Sequence, residues 1–253
     1  MTDPAKGAFF MKIEVWSDFV CPFCYIGKRR LEQALERFPH KAQVEVVYKS
    51  FELDPNFSRE ANDNDIHDLL AGKYGMSREQ AIASNRSVGE AANSVGLNFD
   101  FDRMRYTNTF DAHRLAHFAA EKGLSHALTE RLLKAYFTEG AFLNDHEAVA
   151  KLAEEAGLDK NEALNVLQSD VYSENVRADE NEAMQLGVRG VPFFVLDEKF
   201  AISGAQPDSV FDQALERAWS ERSPLTVLGE DLTSGDADGC FDGSCAVPQA
   251  KPE

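Results

Sequence analysis

The sequence predicts an α/β fold with a mixed sheet, an all-helical insertion and a flexible C-terminal tail. Alternating apolar residues near residue 13 and at residues 44–48 predict two strands on either side of a helix. From about residue 60 to 186 the apolar residues recur only at helical spacing, and strand character returns at Val191–Leu196. Beyond Pro224 a segment rich in glycine and aspartate has too little apolar surface to fold alone.

The first strand, with Ile13 and Val15, passes into a helix at the sequence Cys21-Pro22-Phe23-Cys24. At such a helix start, unpaired backbone N–H groups and the positive end of the helix dipole favour an anionic sulfur. Cys21 is therefore expected to be the nucleophile, and Cys24, one turn into the helix, to resolve a mixed disulfide on Cys21. Pro22 suits the first helical turn, where no N–H is needed. The apolar face of this helix is Leu31, Ala34, Leu35 and Phe38.

The same two-residue spacing between cysteines also suits half of a zinc site. The strand-to-helix context favours redox chemistry instead, because this spacing beside a βαβ pattern is typical of a thioredoxin-like motif. We therefore expect Cys21 and Cys24 to be catalytic, with no cofactor and no bound metal.

The second strand contains Val44, Val46 and Tyr48, and Pro55 enforces an extended exit from it. Within the helical stretch, Ser77 with Gln80 forms a capping-box pattern. Other helix signals are Gly123 and Gly157 as stops and Asp159 with Glu162 as a start.

After the helical stretch, the strand at Val191–Leu196 is followed by Phe200–Ile202, joined by the short connection Asp197-Glu198-Lys199. Strands adjacent in sequence with so short a connection are expected to pair antiparallel. Pro207 then starts the last helix, whose predicted buried face is Val210, Phe211, Ala214, Leu215, Ala218 and Trp219.

The composition argues against polyanionic partners. Among 253 residues, 43 acidic and 26 basic side chains give a formal charge of −17, which repels nucleic acid and anionic membranes. No apolar run is long enough for a signal peptide or a membrane span, so a cytoplasmic location is expected.

Two further cysteines, Cys240 and Cys245, lie in the tail. Their spacing allows a structural disulfide clip, and it also allows a second redox pair that exchanges with Cys21 and Cys24, since a tethered dithiol reaches a high effective concentration. A four-thiolate metal site assembled from both pairs is a third interpretation.

Several stretches resemble the DsbA-like thioredoxin-fold proteins of the FrnE type, which are related to 2-hydroxychromene-2-carboxylate isomerases and kappa-class glutathione transferases. The resemblance covers roughly residues 12 to 220. The stretches are Asp18-Phe19-Val20-Cys21-Pro22-Phe23-Cys24-Tyr25-Ile26-Gly27-Lys28, Phe51-Glu52-Leu53-Asp54-Pro55, Asn108-Thr109, Ala112-His113-Arg114, Ala135-Tyr136-Phe137, Gly187-Val188-Arg189-Gly190-Val191-Pro192-Phe193-Phe194 and Ser203-Gly204-Ala205-Gln206.

This resemblance implies a thioredoxin fold, which with the helical pattern gives two thioredoxin-like parts, residues 9–58 and 187–224, around a helical insertion at 59–186. The composition and the two further cysteines add a redox tail at 225–253. The implied activity is thiol–disulfide exchange with protein or small-molecule thiols and disulfides. It also implies a cis bond between Val191 and Pro192 facing the two sulfurs, with Pro22, Phe23, Val191 and Pro192 contacting the substrate and Pro192 keeping metal ions away.

Two features qualify what the resemblance implies. Phe23 replaces the histidine found between the cysteines of DsbA itself, so the thiolate loses a hydrogen bond and the disulfide should be less oxidising. The glutathione-dependent isomerases and transferases typically have serine at the position of Cys21, which favours disulfide chemistry here. A metal-sequestering thiol protein is the non-enzymatic alternative.

His113 and His117 share one face of a predicted helix, at a spacing that also suits metal ligands. Since no third ligand is near them in the sequence, a structural role is favoured. The sequence allows His113 to line the cleft above the cysteines, and no catalytic role is assigned to it.

Overall fold

A mixed four-stranded sheet underlies the predicted site. In the computed structural model, which describes residues 11–60 and 65–222, β1 (Met11–Ser17) and β2 (Val44–Ser50) pair in parallel. β3 (Phe193–Leu196) pairs antiparallel with β1, and β4 (Phe200–Ser203) antiparallel with β3, in the order β2-β1-β3-β4. The predicted mixed sheet and the antiparallel hairpin are therefore confirmed.

Helices cover both faces of this sheet. α1 (Pro22–Arg37) and α9 (Asp208–Ser220) pack on the face that carries Ile13 and Val15. Trp16 faces the other way, as strand alternation requires, and packs against Ala183 of α8 (Ser173–Gln185). Its indole Nε1 donates a hydrogen bond of 2.9 Å to the carbonyl oxygen of Asp179, also on α8.

Between β2 and β3 the described chain is helical, as predicted. The helices are α2 (Ile66–Tyr74), α3 (Arg78–Asn93), α4 (Phe110–Glu121), α5 (Ser125–Lys134), α6 (His146–Glu155), α7 (Lys160–Leu167) and α8. A π-helical turn at Ala135–Glu139 continues α5, and 3₁₀ turns occupy Lys41–Gln43 and Phe101–Arg103. The predicted caps at Ser77 and Asp159 are both present.

A buried arginine joins α4 to the end of α7. Arg114 donates hydrogen bonds to the carbonyl oxygens of Val166 at 2.6 Å, Leu167 at 3.0 Å and Val171 at 3.1 Å, and to the Asp111 carboxylate at 2.7 Å. Burial opposes ionisation of Asp111, but the hydrogen bonds from Arg114 and His146 together with the charges of Arg114 and Arg59 outweigh burial and lower the pKa of the carboxyl. The guanidinium therefore satisfies backbone groups that the end of α7 leaves unpaired.

The start of β3 differs from the prediction, and the turn between β3 and β4 adds detail to it. The strand predicted at Val191–Leu196 begins at Phe193, because Pro192 has no N–H for the ladder. The connection to β4 turns through Asp197 and Glu198, both at positive φ.

The described residues belong to one unit that ends at Arg222. The tail at 225–253, with Cys240 and Cys245, and residues 9 and 10 lie outside the described residues. The sequence division at 58/59 and 186/187 stays a prediction. Among the described helices, none combines the length and apolar character that crossing a membrane requires.

The close approach of Gly140 to Arg103 gives a stability prediction. Gly140 and Gly123 both have φ of +71°, so alanine at either site costs roughly 1–2 kcal/mol for the left-handed backbone. Only at Gly140 would the new Cβ lie 2.6 Å from the Arg103 carbonyl oxygen; around Gly123 the space is open. We expect Gly140→Ala to lower the free energy of unfolding in urea by about 1–3 kcal/mol more than Gly123→Ala. Equal losses would contradict the packing constraint.

Candidate active site

Cys21 occupies the N-cap of α1. Its backbone is extended, Pro22 is the first helical residue, and no side chain caps the helix start. The Cys21 N–H donates to the Asp18 carbonyl oxygen at 3.1 Å, and the Cys24 N–H donates to the Cys21 carbonyl oxygen at 3.0 Å. The predicted passage from strand to helix at the cysteines is thus confirmed, and the Cys21 sulfur lies at the positive end of the helix dipole.

Cys24 lies deeper than Cys21, one turn into α1. Both cysteines are free thiols, with exposed fractions of 2% for Cys24 and 4% for Cys21. The Cys24 Sγ accepts a hydrogen bond of 3.4 Å from the Asp18 N–H. Burial, followed by the hydrogen bond and charge of Cys21, raises the pKa of the Cys24 thiol well above its usual value. The site therefore favours a neutral Cys24 in the reduced protein.

The loop before β3 contacts Cys21 directly. The Cys21 Sγ donates to the Val191 carbonyl oxygen at 3.4 Å, and the Val191–Pro192 bond is cis. The Pro192 carbonyl oxygen accepts from the Gly204 N–H at 2.8 Å, which ties this loop to the end of β4. The structure thus brings Val191 and Pro192 beside the nucleophile predicted from the sequence.

An apolar cavity of about 510 Å³ opens beside Cys21. Val20, Cys21, Pro22, Phe23 and Val191 line it on the sheet side, and α2, α3, the segment from Phe101 to Tyr106 and the π-helical turn line it on the helical side. Three apolar side chains in its lining are both large and exposed: Tyr74 at 65%, Phe23 at 46% and Leu53 at 40%.

The helical wall of this cavity was not predicted from the sequence. One signal was available on α3, where Ala81, Asn85 and Val88 recur at helical spacing and Asn85 places an amide in an otherwise apolar stripe. Asn85 is buried and lines the cavity. A buried amide among apolar residues needs a specific partner or a ligand.

Asp18, whose N–H contacts Cys24, belongs to a group of buried polar side chains. The Asp18 carboxylate is 3.5 Å from the Nε2 of His113, and neither Asp18 Oδ1 nor His113 Nε2 has a hydrogen-bond partner among the described residues. Glu52 is buried nearby and accepts from Arg177 at 2.7 Å. Burial raises the pKa of Glu52, against the opposing effects of Arg177 and His113.

The sequence allowed His113 to line the cleft above the cysteines, but the structure places its side chain elsewhere. It stacks on Phe19, with ring centroids 4.9 Å apart, and it is not among the residues that line the 510 Å³ cavity. His117 has different partners, Asp179 at 3.1 Å and the Ser50 hydroxyl at 3.2 Å. Within residues 11–60 and 65–222, no three His, Cys, Asp or Glu side chains are grouped as metal ligands. Cys240 and Cys245 lie outside these ranges.

Two of the relatives found by comparison with known proteins match this chain over most of its length. A crystal structure of a probable DsbA oxidoreductase from Streptomyces coelicolor is 45% identical and has a TM-score of 0.83, covering 94% of this chain and 100% of that one. The Bacillus subtilis (strain 168) protein YwbO, itself named as uncharacterized, is 29% identical over 207 residues, which are 80% of this chain and 94% of YwbO.

A solved structure of a 2-hydroxychromene-2-carboxylate isomerase has a TM-score of 0.61 at 17% identity, covering 83% of this chain and 97% of that one. That likeness concerns the fold alone. A family model described as the DSBA-like thioredoxin domain matches residues 12–216. Since that range includes β1, both cysteines, the helical stretch and most of α9, the chain belongs to the DsbA-like thioredoxin-domain family, as the sequence predicted.

Proposed function

We propose that this protein is a thiol–disulfide oxidoreductase in which Cys21 attacks and Cys24 resolves. The observation that carries the proposal is the placement of the two sulfurs. Cys21 lies at the N-cap of α1 and lines the cavity, while Cys24 is buried behind it with a raised pKa. One sulfur therefore borders the cavity, where a substrate can reach it, and the other is held as a thiol until it attacks the mixed disulfide.

In the proposed reaction, the Cys21 thiolate attacks one sulfur of a substrate disulfide and the other sulfur leaves as a thiolate. Cys24 then loses its proton and attacks the Cys21 sulfur, which releases the second substrate thiolate. The substrate gains two electrons and, in water, two protons, and the protein is left with a Cys21–Cys24 disulfide. An external thiol or dithiol resets it. Run in reverse, the same steps oxidise a substrate dithiol.

The buried Asp18–His113 pair supplies a proton acceptor for Cys24 in this proposal. Asp18 contacts the Cys24 Sγ through its backbone N–H, so its carboxylate belongs to a residue in direct contact with the resolving thiol. Its Oδ1 and the facing His113 Nε2 are buried without partners among the described residues. A thiol with a raised pKa needs such a base, because only the thiolate attacks.

Substrate contacts are assigned to the residues around Cys21. Phe23 exposes an apolar ring, Pro22 and Val191 line the cavity, and Pro192 next to Val191 offers no N–H that would compete for the substrate. Phe23 also donates no hydrogen bond to a Cys21 thiolate. This absence favours a disulfide less oxidising than that of DsbA.

The comparisons support this class over the isomerase alternative. The Streptomyces coelicolor relative, 45% identical, is named a probable DsbA oxidoreductase. Glutathione-dependent isomerases and transferases of related fold typically have serine where this chain has Cys21. A thiol at that position, with a second thiol one turn later, serves disulfide exchange directly.

The proposal includes the tail and the compartment. Cys240 and Cys245 would reset the active-site pair through an intramolecular mixed disulfide, and the reaction would take place in the cytoplasm, on protein or small-molecule thiols and disulfides. A glutathione-poised cytosol supplies the external thiols that the resetting step requires. Cell fractionation tests the compartment.

We expect Cys21→Ser to abolish dithiol-dependent reduction of insulin disulfides, because it removes the attacking sulfur. Cys24→Ser should instead accumulate a mixed disulfide on Cys21, detected by mass spectrometry. Alkylation rates of the wild type give the control, with Cys21 the faster thiol. Faster alkylation of Cys24 would reverse the assigned roles.

We expect Asp18→Asn to lengthen the lifetime of the mixed disulfide by about 10²-fold, the lower end of what general-base catalysis contributes. The alkylation rate of Cys21 should change much less, since the base acts on Cys24. Asp54→Asn is a matched control, because Asp54 is paired with Lys73 and has no contact with Cys24. Unchanged resolution in Asp18→Asn would contradict the assigned base.

Deleting residues 230–253 tests the proposed tail exchange. Single-turnover attack by Cys21 should persist, while multiple turnover slows or the apparent potential shifts. If the truncated protein matches the full chain in both, or if a Cys240–Cys245 bridge stays oxidised while the active-site pair cycles, the tail is a structural clip. About one zinc per chain, lost on mutating either pair, would indicate the metal-binding alternative.

A further inference from the structure

The cavity beside Cys21 is larger than disulfide exchange alone requires. Its volume of about 510 Å³ falls within the range of roughly 300–1,000 Å³ that is typical of small-molecule sites. Its helical walls are mostly apolar, with Ile66, Leu70, Val88, Phe101, Met104 and Phe137 among the lining residues. A single apolar side chain presented by a protein substrate would leave much of this space unfilled.

An extended peptide also fits this space poorly. Each peptide unit carries an N–H and a carbonyl that need partners once they leave water. The lining has few polar side chains, and the ammonium of Lys73 is already engaged by the Asp54 carboxylate at 3.0 Å and the Tyr106 hydroxyl at 3.1 Å. An apolar ligand with at most one or two polar groups fits the lining better.

Asn85 is a hydrogen-bond partner for one polar group of such a ligand. His67 Nε2 lies 3.2 Å from the Asp102 carboxylate, which can only accept, so in the neutral imidazole Nε2 carries the proton and Nδ1 is the acceptor. The Asn85 Nδ2 lies 2.9 Å from His67 Nδ1 and donates to it. This chain fixes the orientation of the amide, and no donor among the described residues pairs with Asn85 Oδ1. Asn85 lines both this cavity and a neighbouring pocket beside His67 and Asp102, and a donor on a ligand in the cavity is the partner that we assign to its oxygen.

We infer that the cavity binds the apolar, ring-containing body of a small-molecule disulfide that carries one hydrogen-bond donor, and that it places the sulfur of that ligand at Cys21. This inference rests on the proposed function and names its substrate class. The Cys21 thiolate attacks one sulfur of the ligand disulfide and the other half leaves as a thiolate; Cys24 then releases the bound half as a second thiolate. Two external thiols, or one dithiol, are oxidised to a disulfide and return two electrons to the Cys21–Cys24 disulfide.

The test separates binding from redox chemistry. N-phenyl-1-naphthylamine, an uncharged fluorophore with one N–H, reports occupancy of the cavity in the full-length protein. Ser84 of α3 lines the cavity and is exposed, so Ser84→Trp fills the space without disturbing the core. Ser87→Trp is the matched control, exposed on the same helix and outside the cavity lining.

We expect Ser84→Trp, but not Ser87→Trp, to weaken fluorophore binding at least about tenfold, the scale on which a hydrophobic pocket discriminates by size. The ratio of kcat/KM for bis(4-aminophenyl) disulfide to that for bis(2-hydroxyethyl) disulfide should fall by a similar factor. In the unreactive Cys21→Ser protein, bis(4-aminophenyl) disulfide should displace the fluorophore, a readout that needs no variant of the cavity.

Undiminished binding by Ser84→Trp, an unchanged ratio, or no displacement from Cys21→Ser protein would overturn the inference. Turnover of bis(2-hydroxyethyl) disulfide in those cases would leave the oxidoreductase function standing. Failure of the wild type to turn over either disulfide would overturn the proposed function itself, and with it the substrate class, even where the fluorophore bound.

Discussion

The turn from Asp18 to Cys24, which leads into α1, depends on Asp18. This residue is 1% exposed, and three of its polar groups form hydrogen bonds that hold the turn in place. Its carbonyl accepts from the Cys21 N–H at 3.1 Å, its N–H donates to the Cys24 Sγ at 3.4 Å, and its carboxylate accepts from the Leu53 N–H at 2.7 Å. The first contact fixes where α1 begins, the second fixes the depth of the resolving thiol, and the third ties the exit of β2 to both. Losing any of these contacts would leave a buried polar group unpaired.

The helical part is held to the sheet by a second buried carboxylate. Asp179 on α8 accepts from the Ser50 N–H at 2.8 Å and lies 3.2 Å from Lys49 Nζ, both on β2, while its own carbonyl accepts from Trp16. Burial opposes its ionisation, yet the hydrogen bonds from His117 and Ser50 and the charge of Lys49 lower its pKa. The cavity depends on such ties, because its two walls come from the sheet side and from helices far away in the sequence.

Local sequence signals such as caps and residue spacing predicted the helices and strands, but they did not predict the cavity. The capping pair Ser77 and Gln80 places α3 at its observed start, since a cap is a contact across three residues. The cysteine spacing likewise locates the start of α1. α3 comes close to Cys21 through packing between segments about sixty residues apart in the sequence. The hydrophobic periodicity within one helix gives no information about such packing. His113 shows the same limit: its helix was predicted, but Asp18, whose carboxylate lies 3.5 Å from its Nε2, belongs to a distant part of the sequence.

The apolar cavity and the buried polar side chains near Cys24 together favour the proposed reaction in the direction that reduces the ligand. A disulfide is neutral, so an apolar cavity accepts it at little desolvation cost, whereas a thiolate is charged and costs far more to keep away from water. Reduction therefore converts a ligand that the cavity favours into one that it disfavours. The proton released by Cys24 is accepted in this proposal by the buried pair Asp18 and His113, whose Asp18 Oδ1 and His113 Nε2 have no hydrogen-bond partner among the described residues. The product thiolate thus carries negative charge out of the apolar cavity, and the buried pair Asp18 and His113 takes up the proton of Cys24.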